Sequence, residues 1–335
     1  MRASDHADGD VERFLHDVDA RLTPFLKGAL ALVPNVEPLK RGMTHQVLSG
    51  GKRVRAALCA ASCEMFGAPY EQALHFAAAI EHMQNFTLVH DDIADGDGQR
   101  RSQPSIWKQF GIGHGVNIGD GFIPLAAATI LDAPYSTDVK LALLQAVTKH
   151  ALQMVVGQTL DINMRGIDCP TRDEYMECAR KKTGAFLALA TVGGAIVGGA
   201  SVEALGSLQR FAQGAGVAFQ IKDDLLDLVG GKGRDAGSDV MEGKRTLLVI
   251  VAGPRLSQER RRRMFAILNR SRGSKTKDDV AWVHEALVET GAVEAAELAA
   301  EDALDDACRQ LGSLPSTEGK YRLLRIARYL NKRVH

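Results

Sequence analysis

Two acidic stretches of this sequence have residue types and a spacing that could do chemistry. They read HDDIAD over residues 90–95 and KDDLLD over residues 222–227. Their aspartates are Asp91, Asp92, Asp95, Asp223, Asp224 and Asp227. Residues i and i+4 share a face of a helix, so each stretch would place two carboxylates side by side, with a third alongside. A single stretch of this kind is more often a solvated helix end, but here it occurs twice, each time after an apolar segment.

A divalent metal ion is the simplest explanation for this repeated crowding. An acidic last turn opposes the helix dipole, which favours cations at that end. Magnesium prefers oxygen ligands, and proteins usually hold it with one or two carboxylates together with substrate phosphates. We therefore predict a small magnesium cluster between the two stretches, with a diphosphate bound to it. Without metal the carboxylates would repel one another, and some of their pKa values would rise.

Basic residues in four short segments complete the predicted diphosphate site. Three of the segments are SGGKRVRAA (49–57), RKKTG (180–184) and EGKRT (242–246). The fourth is the pair Arg100 and Arg101, which follows the first acidic stretch. The cations of interest are Lys52, Arg53, Arg55, Arg100, Arg101, Lys181, Lys182, Lys244 and Arg245. Arg can grip a phosphate with a bidentate fork, whereas Lys acts as a point charge. Any one of them alone is more often an ordinary surface charge, but together they suffice for two separate diphosphates.

Helices are the elements that must position these residues. Apolar residues repeat at three- and four-residue spacing over long segments, and β-branched alternation is almost absent. The predicted helices are Val11–Leu32, Tyr70–His90, Lys140–Met164, Thr171–Gly199, Val202–Val229, Gln258–Arg270, Val280–Leu311 and Lys320–Lys332. Thr171 is the expected N-cap of its helix. We expect an all-α, single-domain helical bundle over residues 11–335, with both acidic ends facing a central cavity and residues 1–10 forming a flexible N-terminus.

The overall composition excludes several classes of function. The chain has 335 residues, of which 45% are hydrophobic, so it can bury a large core. Lys+Arg and Asp+Glu both number 41, and this balance gives no reason to expect nucleic acid or an anionic membrane as a partner. The longest uncharged run, Gly184–Val202, predicts a buried helix rather than a membrane span. The five cysteines fit no metal knuckle and predict reduced thiols in a cytoplasmic protein.

From about Leu22 to Arg333 the chain resembles the trans-isoprenyl diphosphate synthases of the polyprenyl synthetase family. The resemblance lies in the order, spacing and residue types of several motifs. They are GGKRVR (50–55), HDDIADGDGQRRSQPS (90–105), GDGF (119–122), GQTLD (157–161), KTG (182–184), FQIKDDLLD (219–227) and GSDVMEGKRT (237–246). It implies an isoprenoid-synthase-type helical bundle, and a homodimer formed through long helices.

The resemblance also implies a reaction. Such prenyltransferases join isopentenyl diphosphate head to tail to an allylic diphosphate and make a short-chain all-trans prenyl diphosphate. Magnesium ions and basic residues draw the diphosphate away from the allylic carbon, and the double bond of isopentenyl diphosphate attacks the resulting carbocation. A proton is then lost to the released diphosphate. The catalysis would be mainly electrostatic, in a dry pocket.

Roles for individual residues follow from the same resemblance. Three magnesium ions are implied, of which Asp91 and Asp95 would hold two with Asp92 in support, and Asp223 would hold the third with Asp224 and Asp227 assisting through water. The allylic diphosphate would be gripped by Arg100, Lys182, Gln220 and Lys244. The diphosphate of isopentenyl diphosphate would be gripped by Lys52, Arg55 and Arg101. Thr183 and the side-chain oxygen of Gln220 would face the carbocation.

Three positions depart from the usual family pattern. Ala56 follows Arg55 where proline is common, which should alter the turn rather than the chemistry. Gln84 stands where a histidine often contacts isopentenyl diphosphate, so a hydrogen bond is kept but a possible charge is lost. Arg234 takes the place of a common lysine, unless Lys232 fills that role after a shift of the loop. None of these departures removes a metal ligand.

The segment before Asp91 bears on the length of the product. Thr87 and Phe86 precede Asp91 by four and five residues, one helical turn of about 5.4 Å, which is comparable to one isoprene unit. The bulky Phe86 would form the floor of the cavity for the growing chain, and Met83 would line the next turn. In the family, a single aromatic residue here without an insertion suggests a C20 product, geranylgeranyl diphosphate, with farnesyl diphosphate second. The alternative is that Phe86 is an ordinary core residue.

Three other functions remain open for this sequence. A class I terpene cyclase also ionises allylic diphosphates, but it would not need the second diphosphate site supplied by Lys52 and Arg55. A non-catalytic subunit would usually lose the acidic motifs, and both are intact here. An irregular synthase that joins its substrates head to middle would keep all of these residues.

Overall fold

The computed structural model describes residues 2–229 and 237–332, with side chains from residue 8 onward. Arg234 and Lys232, the two candidates for the family lysine, lie outside the described residues. The chain divides into two compact units. The first unit comprises Met1–Lys149, Leu189–Gln209 and Ser313–Ile326, and the second comprises His150–Ala188, Arg210–Gly312 and Ala327–His335.

The elements up to residue 132 belong to the first unit, and helices dominate them. They are α1 (Arg2–Ala29), α2 (Leu39–Leu48), α3 (Val54–Met65), α4 (Leu74–Asp95), β1 (Gln99–Arg100), β2 (Gln103–Pro104), α5 (Ile106–Phe110) and α6 (Ile112–Asp132). Short 3₁₀ turns cover Leu30–Leu32 and Tyr70–Ala73. Gly96, with φ +69°, ends α4 directly after the first acidic stretch.

The remaining elements are also helices. They are α7 (Thr137–Met164), α8 (Arg172–Ala179), a π turn (Arg180–Gly184), α9 (Ala185–Val197), α10 (Val202–Val229), α11 (Ser238–Glu242), α12 (Leu247–Arg255), α13 (Gln258–Leu268), α14 (Lys277–Glu289), α15 (Ala292–Arg309) and α16 (Glu318–Asn331). A 3₁₀ turn covers Arg272–Ser274. None of the described helices is both long and apolar enough to cross a membrane.

Small residues allow the helices of the first unit to pack closely. A Cβ atom at Gly194 of α9 would lie 2.0 Å from the carbonyl oxygen of Cys59 in α3. A Cβ atom at Gly193 would lie 1.8 Å from the ring of Phe76 in α4. Both distances are shorter than any real contact, so α9 can lie against α3 and α4 only because these positions are glycine. The glycine-rich run is thus a buried helix, as predicted.

The second unit has its own hydrophobic core. Leu225 of α10 and Leu247 of α12 are at most 3% exposed and pack with apolar residues of α8, α13, α14 and α15. The Thr246 side chain accepts a hydrogen bond from the Val249 N–H and caps the buried helix α12. Leu225 lies within the KDDLLD stretch and Leu247 directly follows the EGKRT segment, so this core anchors both motifs.

The structure confirms the predicted all-α class and refines individual elements. Helix α10 has the predicted bounds, and Thr171 caps α8 with a complete capping box. The predicted helix over Val280–Leu311 is two helices, because Gly291 adopts a left-handed conformation with φ +66° between them. The predicted helix over Thr171–Gly199 is interrupted by the π turn.

One buried histidine in the first unit makes a testable contribution to stability. His82 of α4 is 0% exposed and stacks on the ring of Phe122 with centroids 6.1 Å apart. Neither ring nitrogen has a hydrogen-bond partner among the described residues. Burial, together with the nearby charge of Arg53, lowers the pKa of His82 to about 4. The folded protein therefore holds this histidine neutral.

His82 should make the protein less stable as the pH falls. Below a pH of about 6.5 the unfolded chain binds a proton at this histidine, whereas the folded chain does so only near pH 4, so stability is lost between these values. The full effect is about 3 kcal/mol. Urea unfolding at pH 7 and pH 4.5 should show a smaller pH dependence for His82→Leu than for the unaltered chain or for the exposed control His16→Leu. An unchanged pH dependence in His82→Leu would contradict this expectation.

Candidate active site

The first acidic stretch forms the last turn of α4. Asp92 is buried, at 1% exposure, whereas Asp91 and Asp95 are half-buried. Because Asp91 and Asp95 are four residues apart in a regular helix, they lie on one face, as the sequence predicts. The two residues that the resemblance assigns to direct metal binding are thus the more accessible ones.

Arg100 of β1 is bonded to the buried aspartate. Its Nε donates to both carboxylate oxygens of Asp92, at 2.7 and 2.8 Å. Burial raises the pKa of Asp92, and the hydrogen bond and charge of Arg100 oppose that rise. The predicted diphosphate ligand Arg100 therefore also ties the β hairpin to the acidic end of α4.

The hairpin turn directs the next arginine. Arg100 pairs with Gln103 across an antiparallel ladder, and the two residues between them, Arg101 and Ser102, have φ +54° and +61°. Positive φ angles match the twist of a two-residue hairpin, but they are unfavourable for residues other than glycine. The strained backbone places the Arg101 side chain away from the Asp92 contact made by its neighbour.

Arg101 reaches the glycine turn that precedes Lys52. Its Nη1 donates to Ser49 Oγ at 2.9 Å and to the carbonyl oxygen of Gly50. A Cβ atom at Gly51 would lie 2.9 Å from Arg101 Nη2, so glycine leaves room for the guanidinium. The structure thus brings Arg101 to the GGKRVR loop, which also carries Lys52 and Arg55, the other residues that the resemblance assigns to isopentenyl diphosphate.

Positive charge is concentrated around this loop. Desolvation lowers the pKa of Arg101, and the charges of Arg53 and Arg100 lower it further. Lys52 is exposed and Arg55 is half-buried at the start of α3. A cluster of positively charged side chains favours binding of an anion.

Arg53 has a structural role within the same motif. Its side chain is 5% exposed, and it donates to Asp19 Oδ1 at 2.9 Å and to Glu81 Oε2 at 2.8 Å. Its backbone is left-handed, with φ +49°, immediately before α3. Arg53 therefore anchors the loop to α1 and α4, and the predicted ligands Lys52 and Arg55 are held on either side of it.

The residues assigned to chain length lie in α4 with different exposures. Phe86 and Thr87 are half-buried, whereas Met83 is 1% exposed and belongs to the core. The Phe86 ring makes an edge contact with His90, with ring centroids 4.7 Å apart. The side-chain oxygen of Gln84 is buried and has no hydrogen-bond partner within the part of the chain that the structure describes.

The second acidic stretch lies near the end of α10, in the second unit. Asp223 is exposed and Asp227 is half-buried, but Asp224 is only 5% exposed. Asp227 Oδ2 accepts a hydrogen bond from the Asp239 N–H at 3.0 Å. Burial and the charge of Asp239 raise the pKa of Asp224 well above its usual range and that of Asp227 to about 7.

The KTG motif forms the π turn that follows α8. Thr183 donates to Gln220 Oε1 at 2.6 Å, so the two residues expected to face the carbocation are in contact. Gly216 of α10 makes this possible, because a Cβ atom there would lie 2.4 Å from Gly184 Cα. π turns within helices occur often at functional sites.

The two lysines assigned to the allylic diphosphate are each paired with acids. Lys182 donates to Asp161 Oδ2 at 2.6 Å. Lys244 lies 2.9 Å from Asp239 Oδ1 and 2.8 Å from Glu242 Oε2. Although burial raises the pKa of Asp161, the charges of Lys182 and Lys244 outweigh it, and the pKa is lowered overall. The carboxylate of Asp161 thus interacts favourably with the charges of both Lys182 and Lys244.

Lys182, Lys244 and Asp161 line one pocket of the second unit. Its lining consists of Asp161, Met164, Tyr175, Cys178, Ala179, Lys182, Gln220, Asp224, Lys244, Arg245 and Thr246. Arg245 serves the structure here: it is 2% exposed and donates to the carbonyl oxygens of Ile167 and Gly243. The pocket combines ammonium groups, carboxylates and neutral oxygens, which suits a diphosphate with a bound cation.

The carboxylates fit magnesium better as partial ligands than as a closed cage. Among residues 2–229 and 237–332, no three His, Cys, Asp or Glu side chains form a ready-made metal site. Magnesium is usually bound by one or two carboxylates, with water and phosphate completing its shell. The raised pKa values of Asp224 and Asp227 arise from burial and from the neighbouring acid Asp239, and a divalent cation would relieve that repulsion.

Sequence reasoning gave no role to three residues of this pocket region. Asp161 lies in the GQTLD motif and binds Lys182, and Asp239 lies in the GSD motif and binds both Lys244 and Asp227. Tyr175 donates its hydroxyl to Asp224 Oδ2 at 2.6 Å. The first two could have been found from their motifs, but Tyr175 has no signal beyond lying on the α8 segment.

Gly157 holds α7 against the π turn. A Cβ atom at this position would lie 2.2 Å from Lys182 N and 2.6 Å from Lys182 Cα, both backbone atoms that cannot rotate away. Gly157→Ala should therefore lower the free energy of unfolding by about 1–3 kcal/mol. Displacement of Lys182 should also lower kcat/KM by about 10²-fold.

Gly166→Ala is the matched control for this prediction. The nearest atom to its Cβ would be Asn163 O at 3.8 Å, an ordinary contact, so both stability and activity should be kept. Urea unfolding and steady-state kinetics of the two variants give the comparison. Equal behaviour of the two variants would show that the close contact at Gly157 does not constrain Lys182.

The chain is similar to several known proteins. A family model described as polyprenyl synthetase matches residues 36–287. A short chain isoprenyl diphosphate synthase of Methanothermobacter thermautotrophicus is 36% identical over 302 residues, which cover 89% of this chain and 91% of that protein. The crystal structure of a geranylgeranyl pyrophosphate synthetase from Pyrococcus horikoshii has a TM-score of 0.86 and 29% identity, covering 96% of this chain and 99% of that one.

A further solved structure bears on the metal. It is a geranylgeranyl pyrophosphate synthase from Corynebacterium glutamicum complexed with isoprenyl diphosphate and magnesium. Its TM-score is 0.85 at 26% identity, and the match covers 96% of this chain and 99% of that chain.

Proposed function

Since the chain belongs to the polyprenyl synthetase family and is a prenyltransferase, we propose that it condenses isopentenyl diphosphate with allylic diphosphates. The joining is head to tail, and the product is a short-chain all-trans prenyl diphosphate. One observation carries the proposal: each unit places an acidic helix end beside basic side chains whose charges are balanced by neighbouring carboxylates. Arginine and lysine side chains held in this way can form charge-assisted hydrogen bonds to phosphate oxygens.

Three magnesium ions are proposed for the reaction. Asp91 and Asp95 would hold two, and Asp223 the third, which agrees with the greater exposure of these residues than of Asp92 and Asp224. Asp92 would support the first pair through its bond to Arg100, and Asp224 and Asp227 would assist the third through water. When bound, the metal supplies positive charge that stabilises the departing diphosphate.

The basic residues grip the two diphosphates. Lys182, Lys244, Arg100 and Gln220 take the allylic diphosphate, and the shared acid Asp161 supports this for both lysines. Lys52, Arg55 and Arg101 take the diphosphate of isopentenyl diphosphate, supported by the contact of Arg101 with the glycine turn. Gln84 contributes a neutral hydrogen bond to that second substrate.

A product assay with and without metal tests the function. Purified protein is incubated with isopentenyl diphosphate and a C5, C10 or C15 allylic diphosphate, in magnesium and in excess EDTA. Longer prenyl diphosphates should form only with magnesium. Release of diphosphate in the absence of isopentenyl diphosphate would indicate a terpene cyclase. Head-to-middle products would indicate an irregular synthase, and no turnover would indicate a non-catalytic subunit.

Geranylgeranyl diphosphate is the proposed product, with farnesyl diphosphate as the second candidate. The proposal is supported by the names of two structural relatives, which are geranylgeranyl pyrophosphate synthases. It is also supported by the half-buried position of Phe86, one turn before Asp91 on α4. We propose that Thr87 and Met83 line the same cavity next to Phe86.

Phe86→Ala should lengthen the product by one or more isoprene units, because it removes the ring at the floor of the cavity. Chromatography of the products after removal of the diphosphate measures the effect. Phe110→Ala is the matched control: this ring is half-buried in α5 and lies 5.2 Å from the guanidinium of Arg41, so its loss should not change the product length. An unchanged range of products in Phe86→Ala would remove Phe86 from this role.

The assembly and the compartment are part of the proposal. A homodimer is supported by apolar side chains that α6 leaves exposed: Ile112, Val116, Ile123 and Leu131. Light scattering after gel filtration would give the mass, for which twice 36.1 kDa is expected. A cytoplasmic location is supported by the cysteines, which are unpaired throughout the described residues.

A further inference from the structure

Asp224 is the buried aspartate of the second acidic stretch. It is 5% exposed, and each of its carboxylate oxygens accepts from a protein donor. Tyr175 Oη donates to Oδ2 at 2.6 Å, and Gln220 Nε2 donates to Oδ1 at 2.9 Å. The Tyr175 side chain is itself buried, at 5% exposure. Its hydroxyl therefore depends on Asp224 as its acceptor.

The contact with Asp224 determines the orientation of the Gln220 amide. Because Gln220 Nε2 donates to Oδ1 of Asp224, the amide turns its NH₂ group toward this side chain. The amide oxygen then lies on the other side, where it accepts from Thr183 Oγ1 at 2.6 Å. Turning the amide over would move its oxygen to the Asp224 side and remove the acceptor of the Thr183 hydroxyl.

The orientation has a chemical consequence at Thr183. The hydroxyl uses its only hydrogen on Gln220, so its oxygen can act only as an acceptor. Thr183 and Gln220 then present oxygen, the negative end of both dipoles. Beside a developing carbocation this arrangement is favourable, whereas an amide presenting N–H would repel the positive charge.

We propose that Asp224 and Tyr175 are positioning residues that fix the Gln220 amide with its oxygen toward Thr183. Asp224 acts through Gln220 and not as a direct ligand of a metal ion, and Tyr175 holds the carboxylate in place. This inference rests on the proposed function, because it assigns Thr183 and Gln220 to the carbocation. It separates Asp224 from its neighbour Asp223, which is exposed on the same turn of α10.

Three single variants distinguish positioning from metal binding. Tyr175→Phe and Asp224→Asn should each lower kcat by about 10- to 100-fold, the usual effect of removing a group that orients another. Their KM values should change by less than about twofold, and so should their magnesium affinity, measured by calorimetry with an unreactive allylic thiolodiphosphate bound. Asp223→Asn should weaken magnesium binding by about 10-fold or more. Thermal melting of each variant confirms that it is folded.

A double variant, Asp224→Asn with Gln220→Glu, tests the hydrogen-bond direction itself. The amide introduced at position 224 would donate its NH₂ to the carboxylate introduced at position 220, and its oxygen would accept from Tyr175. The other oxygen of the new carboxylate would accept from Thr183. The pattern of donors and the total charge are restored, so kcat should recover by about 10-fold or more over Asp224→Asn alone. A residue that only filled space or bound metal would give no such recovery.

The outcomes separate this inference from the proposed function. Recovery in the double variant with unchanged magnesium affinity in Asp224→Asn supports the inference. A loss of magnesium affinity in Asp224→Asn equal to that in Asp223→Asn, or a double variant no more active than Asp224→Asn, overturns it. If the unaltered protein neither binds magnesium nor condenses the two diphosphates, the proposed function itself is wrong.

Discussion

Asp91→Asn is expected to lower kcat/KM by about 10³-fold and to leave the fold intact. The carboxylate is proposed to hold metal against the departing diphosphate, and loss of one preorganised electrostatic group commonly costs about 10²–10³ in rate. Stability should stay the same or rise, because an acid in the last turn of α4 opposes the helix dipole. A loss of activity together with an unchanged or higher stability is typical of a residue that is retained for function.

Asp138→Asn provides the matched control for the Asp91 variant. Asp138 is exposed in the first turn of α7, where an acid is favoured by the dipole. Its replacement should keep full activity and lower stability by about 0.3–1 kcal/mol. Steady-state kinetics and thermal melting of both variants give the answer. Full activity of Asp91→Asn would remove this aspartate from the proposed metal site.

Arg100→Ala should cause the largest loss of stability. The variant leaves the carboxylate of Asp92, at 1% exposure, without the guanidinium that binds both of its oxygens. Removing one partner of a buried ion pair typically costs about 3–5 kcal/mol. Urea unfolding should show this loss near neutral pH, together with a loss of activity because Arg100 is also a proposed diphosphate ligand.

The pH dependence of the Arg100 variant has a defined sign. Burial already raises the pKa of Asp92 despite Arg100, and it should rise further without the arginine. A raised carboxyl pKa means that the folded state binds the proton more tightly, so the variant should lose stability as the pH rises above about 4, the ordinary pKa of a carboxyl group. Arg100→Ala combined with Asp92→Asn should recover part of the stability and lose this pH dependence. A single variant as stable as the unaltered chain would show that the pair is not needed.

The helical elements of the site could be predicted because they follow local rules. The period of apolar residues gave α10 its correct bounds, and Thr171 with Glu174 forms the capping box that starts α8. The break at Gly291 was missed because apolar spacing continues on both sides of it. The π turn was missed because its hydrogen-bond pattern has no signature in residue types.

The partners of the charged residues could not be predicted from sequence. Arg53, Lys52 and Arg55 stand in one motif, yet it is Arg53 that Asp19 and Glu81, distant in the chain, hold in the interior. Which of the three basic side chains is buried depends on the side chain that the left-handed turn directs inward. The packing of α1, α3 and α4 determines that direction.

The same limitation applies to the second acidic stretch. Nothing in KDDLLD shows that Asp224 faces Tyr175 and Gln220 while Asp223 faces solvent. The 3.6-residue period places the two on different faces of α10, but the neighbours of each face come from other segments. Motifs therefore indicated the candidate residues of the site, and the structure was needed to distinguish their surroundings.

The left-handed backbone at Arg101 implies opposing evolutionary pressures. With φ +54°, an arginine costs about 1 kcal/mol relative to glycine at this position. The backbone alone would favour glycine at residue 101, whereas the proposed binding of isopentenyl diphosphate would favour arginine. If that role holds, this position accepts a lower stability in return for substrate binding.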